Sequence, residues 1–283
     1  MRLTLRSQAD AAEWRQLARA AFQAGLPPEA TRWQVDPAAP SCPKDAGPAI
    51  RPPPRVPRAF PDLAASALCH VEPARFELLY SLLWRLQDRP QLLDDATDPQ
   101  VSRLRRLTRA VRRDCHKMHA FLRFRELPGD GRRRFVAWFE PDHHIVARAA
   151  PFFAARFADM DWQILTPRGS ACFHAGRLRC DEHPAARPDL PTDATEELWR
   201  SYYAATFNPA RLKLRAMQSE MPRKYWTNLP EAQLIPDLVA GAEARVRAMQ
   251  HQPPRQPPAF HERLQARRQA QGATGKATPD DQG

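Results

Sequence analysis

Paired cysteines are missing from this sequence. Its five cysteines (Cys42, Cys69, Cys115, Cys172 and Cys180) are an odd number, and no two stand in a C-x-x-C pair. That excludes a disulfide scaffold and a cysteine zinc finger, and the three-cysteine cluster that holds a radical enzyme's iron–sulfur centre is absent too. Long apolar runs are also missing. The opening "MRLTLRSQADAAEW" has no apolar core of signal-peptide length, and no later window approaches a membrane span. A soluble, cytoplasmic protein without a membrane partner is expected. No P-loop, G-x-G-x-x-G, G-x-S-x-G, H-E-x-x-H or paired-carboxylate arrangement occurs, so nothing calls for a nucleotide, metal or other cofactor.

Acidic residues are outnumbered, with 32 Asp and Glu against 43 Lys and Arg, for a formal charge of +11. Such a chain is drawn to polyanions, nucleic acid first. Only five of the basic residues are lysine, so an arginine-rich genome is the competing explanation. The charge is uneven, however: Arg103 to Arg148 holds thirteen basic residues against five acidic ones.

The 30 prolines cluster and divide the chain. Residues 1–35 read as a short strand, "RLTLR", and a helix over 11–24 with Trp14, Leu17, Ala18, Ala21 and Phe22 on one face. Residues 36–58, "DPAAPSCPKDAGPAIRPPPRVPR", form an extended connector. The folded domain spans 59–250. It begins with two helices parted at Glu72-Pro73, the second with Phe76, Leu79, Tyr80, Leu83 and Leu86 facing a core. Asp98-Pro99 caps a helix over 99–118. Strands follow in "AFLRFREL" and "RRFVAWFE", joined by the turn "PGDG". Then come a helix, "RAAPFFAARFADM", with Pro151 in its first turn, and short strands in "DWQILTP" and "SACFHAGRLRC". Helices are expected again in "TDATEELWRSYYAATF", "ARLKLRAMQSEM" and "PEAQLIPDLVAGAEARVRAMQ". Residues 251–283 read as a disordered tail. The class is α+β: a small antiparallel sheet built from β-hairpins, packed with N- and C-terminal helices.

The 99–118 helix has two sides. Val101, Leu104, Val111, Cys115 and Met118 make an apolar one. Arg105, Arg109, Arg112 and His116 make a basic row, with Arg106, Arg113 and Lys117 beside it. The basic side is either a solvated face or a phosphate-tracking one. Arg123 and Arg125 extend it into the next strand. A second basic run interleaves Arg211, Lys213, Arg215, Arg223 and Lys224 with Tyr225 and Trp226, whose rings either stack on bases or belong to a core. His116 and His119 could share a ligand, but no third ligand stands at fixed spacing, and a solvated or capping role is simpler. Asp142, His143 and His144 precede a helix. Asp142 reads as its cap, with the histidines in a turn; the alternative is an acid–base centre.

The segments "HKMHAFLRFRE", "FVAWFEPDHHIVARAAPFFAARFADMDWQILTP", "LWRSYYAATFNPARLKLRAMQSEMP" and "YWTNLPEAQLIPDL" resemble an uncharacterised bacterial family to which a role in DNA metabolism or DNA repair is ascribed. The resemblance covers roughly Arg58 to Gln250. Its members are encoded beside a radical SAM protein ascribed to DNA modification, or are fused N-terminal to a uracil-DNA glycosylase-like domain. The glycosylase's own catalytic loops have no counterpart here, so uracil excision is not expected of this chain. The resemblance implies DNA as the polyanion and a radical SAM or glycosylase-like protein as partner. Three functions follow as expectations: a DNA-binding accessory protein, an enzyme on nucleic acid using Asp142, His143 and His144, or a non-catalytic scaffold for the radical SAM partner.

Overall fold

The computed structural model describes residues 1–39, 48–128, 133–188 and 221–229, and parts of 232–247. Strand β1 (Arg2–Leu5) and helix α1 (Ala11–Gln23) form where alternation and apolar spacing place them. Asp10 starts α1 by accepting from the backbone of Ala12 (2.8 Å) and Glu13 (3.1 Å). Strand β2 (Arg32–Val35) is not anticipated by the sequence. It pairs in parallel with β1, a partner some thirty residues away that local pattern cannot reveal.

Helices α2 (Phe60–Leu68) and α3 (Arg75–Asp88) flank Glu72-Pro73 as expected. Phe76, Leu79, Tyr80, Leu83 and Leu86 are all buried. They join Leu3, Leu5, Trp14, Phe22, Trp33 and Leu104 in one core, so the first 35 residues pack with α2, α3 and the helix that follows. The described part of the proline-rich stretch lies along this core. The backbone of Ile50 and Arg51 donates to the Gln23 carbonyl, and the Arg51 guanidinium covers the rings of Phe22 (4.8 Å) and Trp84 (4.4 Å).

Helix α4 (Pro99–Phe121) opens on the Asp98 cap, whose carboxylate accepts from Gln100 and Val101 and also holds Arg85. It runs a turn beyond the expected end. Met118 is buried there, and Phe121 stacks on Tyr225 at 5.6 Å, so packing overrides the alternation that suggested a strand. The strand expected over 120–127 shrinks to β3 (Arg125–Leu127). Of the turn "PGDG", only Pro128 lies within the described residues.

Strand β4 (Arg134–Trp138), helix α5 (Val146–Arg156) and strands β5 (Asp161–Thr166), β6 (Gly169–His174) and β7 (Arg177–Asp181) complete an α+β unit. The five-stranded sheet runs in chain order, β3-β4-β5-β6-β7. Three pairings are antiparallel, as expected of hairpins, but β4 and β5 are parallel because α5 carries the chain back between them. Gly169 sits at φ +121° in the β5–β6 turn, where a Cβ would meet the Asp181 carbonyl oxygen at 2.5 Å. Helix α5 packs on this sheet and on α4. It begins earlier than expected, so Pro151 stands in its interior rather than its first turn. Proline offers no N–H there, which leaves the Ala147 carbonyl without its usual helical donor. A 3-10 turn (Arg223–Asn228) and helix α6 (Ile235–Ala240) lie beyond. The helices expected over 192–207 and 210–221 and the tail over 251–283 lie outside the described residues, apart from Met221.

Candidate nucleic-acid interface

The two sides of α4 fold as its spacing requires. Val101, Leu104, Leu107, Val111 and Met118 are buried, while Arg105, Arg106, Arg109, Arg112, Arg113 and His116 are exposed. Arg103, at the edge, pairs with Glu72. Arg105 is partly engaged, donating to the Leu93 carbonyl at 2.7 Å. Among the described residues, Arg106, Arg109, Arg112 and Arg113 have no carboxylate or carbonyl partner. At about 1.5 Å per residue, the row from Arg105 to Lys117 spans about 18 Å. Lys117 lies 5.7 Å from the Phe121 ring centre.

The rest of the expected interface divides. Arg123 turns back onto the end of α4, donating to the carbonyls of Ala120 (2.8 Å) and Leu122 (3.2 Å). Arg125 is half-buried in β3. Tyr225 is buried at 3% exposure, sandwiched between Phe121 and Phe139 at 5.6 and 5.1 Å. A base cannot reach it, which corrects the expectation of an exposed stacking ring. Trp226 is half-buried and donates to the Met221 carbonyl at 3.0 Å. Lys224 pairs with Asp142 at 2.6 Å. Arg211, Lys213 and Arg215 lie outside the described residues.

Asp142, His143 and His144 face three different surroundings. Asp142 is exposed and held by Lys224. It does not cap α5, whose N-cap is Ile145 with no side-chain bond. The loop is instead fixed from α4: the buried Asp114 carboxylate accepts the His143 backbone N–H at 2.9 Å. The His143 ring is buried against His70, with centroids 4.2 Å apart, and its Nδ1 has no partner. His144 turns the other way, into a cleft of about 420 Å3 shared with Ser7, Asp10, Arg168 and Glu182. Burial, aided by the charge of His70, pushes His143 down to about 4. Burial, then Arg75 and Arg168, does the same to His144. Burial raises Asp114 to about 6, against the His143 N–H that favours its charge. His116 is exposed, whereas His119 is half-buried and stacked on Phe152 at 4.2 Å. The four histidines therefore do not meet in one cleft. Among the described residues, no group of three His, Cys, Asp or Glu is placed to hold a metal ion. No helix among them is long and apolar enough to cross a membrane.

A family model for a domain of unknown function, DUF4130, matches residues 73–231, more than half of the chain. The chain belongs to that family. No curated protein and no solved structure matches it. The DUF4130 match contains α3, α4, α5, the five-stranded sheet and the 3-10 turn, and hence every arginine of the α4 face. His70 and the Ser7–Asp10 loop, which meet His143 and His144, precede it.

Two residues of this DUF4130 chain went unnoticed in the sequence. Asp114 left a signal: it stands three residues after Val111 and four before Met118, a charge inside the apolar stripe of α4. His70 left none, because only the packing of the α2–α3 joint on the β4–α5 loop brings it to His143.

Proposed function

We propose that this protein binds DNA through the solvent face of α4 and serves as an accessory to a separate catalytic protein. One observation carries the binding: Arg106, Arg109, Arg112 and Arg113 share one exposed helix face with no partner among the described residues. Arginines that pair internally have already spent their hydrogen bonds, whereas these keep the whole guanidinium fork for phosphate. DNA, rather than another polyanion, is favoured by the sequence resemblance, as is a radical SAM or glycosylase-like partner. The accessory role is preferred over catalysis because Asp142, His143 and His144 point to three different places.

Fluorescence anisotropy with labelled DNA across a salt series tests the reading. The wild type should lose affinity steeply as salt rises. Changing Arg109, Arg112 and Arg113 to Gln together should weaken binding at least tenfold at low salt. It should also flatten the log–log salt slope by about two to three, since each phosphate contact contributes about 0.7–0.9. Salt-independent binding, or none, defeats the proposal.

A further inference from the structure

Among the described aromatic residues, whose other rings are buried or half-buried, Phe152 stands out. It is 46% exposed, and Met1 and Ile50 are the other large exposed hydrophobic residues among those described. It is nonetheless held in place. Its ring stacks on His119 of α4 at 4.2 Å and 25°, and both rings meet the edge or face of Phe153, at 5.3 and 5.5 Å. Phe153 is 2% exposed, so the pair is anchored to the core. Arg148 and Arg156 are exposed on α5, four residues to either side of Phe152, and so share its helix face. Neither has a carboxylate partner among the described residues. His119 lies seven residues beyond Arg112, about 10 Å further along α4. A fixed, outward aromatic face thus closes the arginine row of α4 and is flanked by two further guanidiniums.

We infer that Phe152, braced by His119, is a stacking platform for an unpaired nucleobase, and that the DNA taken up is single-stranded or carries an extruded base. This deepens the proposed function and rests on it. In a duplex the base faces are stacked on one another and only their edges are presented in the grooves, so a ring of this kind finds a partner there only by prying a base step open, at a cost of a few kcal/mol. An unstacked base offers its whole π-face, and arginines on both sides can hold the backbone that delivers it. A protein ligand could also use an exposed phenyl ring, but the flanking arginines, which have no carboxylate partner among the described residues, favour a polyanion.

The test is anisotropy with a labelled oligothymidylate, an abasic strand of the same length and a duplex, all at one salt concentration. Phe152→Ala should weaken oligothymidylate binding about tenfold while leaving the abasic strand and the duplex unchanged. Phe152→Trp should retain the affinity. Phe152→Leu, which keeps apolar contact with His119 and Phe153 but has no π-face, should behave as the alanine variant. Thermal melts that match the wild type exclude misfolding. Unchanged oligothymidylate binding in Phe152→Ala, or an equal loss on all three ligands, overturns the platform but leaves α4 binding standing if the salt slope persists. Absence of binding to any of the three overturns both.

Discussion

Arg75 and Arg112 occupy neighbouring helices of one layer, and their surroundings could hardly differ more. At the α2–α3 joint, Arg75 is 2% exposed and spends its guanidinium on carbonyls of three segments: Leu68 at 2.9 Å, Glu72 at 2.9 Å and Gln8 at 2.9 Å, with the Gln8 side chain at 2.7 Å. Its flat face lies 4.0 Å from the Phe76 ring centre. On the far side of α4, Arg112 stands in solvent with no partner among the described residues. The first is a structural clamp tying the N-terminal loop to α2 and α3; the second is a charge left over for something else. A surplus of arginine therefore predicts a binding face only after the internally bonded arginines have been subtracted.

The largest effect that would sharpen this contrast is on stability. Arg75→Ala leaves the Leu68, Glu72 and Gln8 carbonyls without their donor, so a loss of about 3 kcal/mol or more is expected in urea melts. DNA affinity of the folded fraction should be unchanged. A neutral Arg75→Ala would erase the distinction between the two arginine populations.

Asp114 is the buried charge of opposite sign, and only one of its oxygens has a partner. Its folded pKa, about 6, lies above the ordinary carboxyl value of 3.8. The neutral form is therefore favoured by folding: that contribution is complete below about pH 4 and is lost as pH rises through about 6. His143 and His144 run the other way. Held near 4 rather than 6.5, they contribute stability above about pH 6.5 that is lost as pH falls through about 4. Asp114→Asn removes the first of these titrations alone. It should equal or exceed the wild type by about 1–2 kcal/mol at about pH 7.5 and lose that advantage only as pH falls to about 4. The same difference between the two proteins at both pH values would show that the carboxyl does not titrate in this window.

The smallest effect belongs to the exposed pair. Asp142 and Lys224 have side chains 65% and 38% exposed, where ion pairs are worth little. Asp142→Asn should shift stability by less than about 0.5 kcal/mol and leave DNA binding within about twofold. A complete loss of function with the fold intact would instead reinstate the acid–base reading of this loop.

How much of this was legible can be judged from α4. Its cap, its apolar stripe and its basic row follow from spacing alone, since a helix repeats every 3.6 residues whatever surrounds it. The same holds for α1, α3 and strands β5 to β7, whose patterns and turns are local. The parallel β4–β5 pairing, the late end of α4 and the place of Pro151 inside α5 were not legible. Each depends on what packs against the segment rather than on the segment itself.

The sequence by itself determined the α+β class, the excess of positive charge and its concentration on one face of one helix. Only the tertiary structure decided which of those charges remain free, because a guanidinium's partners are carbonyls and carboxylates distant in the chain, as Gln8 is from Arg75. It likewise parted His143 from His144, burying one ring on His70 and turning the other into a cleft. And it set Phe152 outward at the end of the arginine row, because His119 and Phe153 occupy the space its ring would otherwise fill.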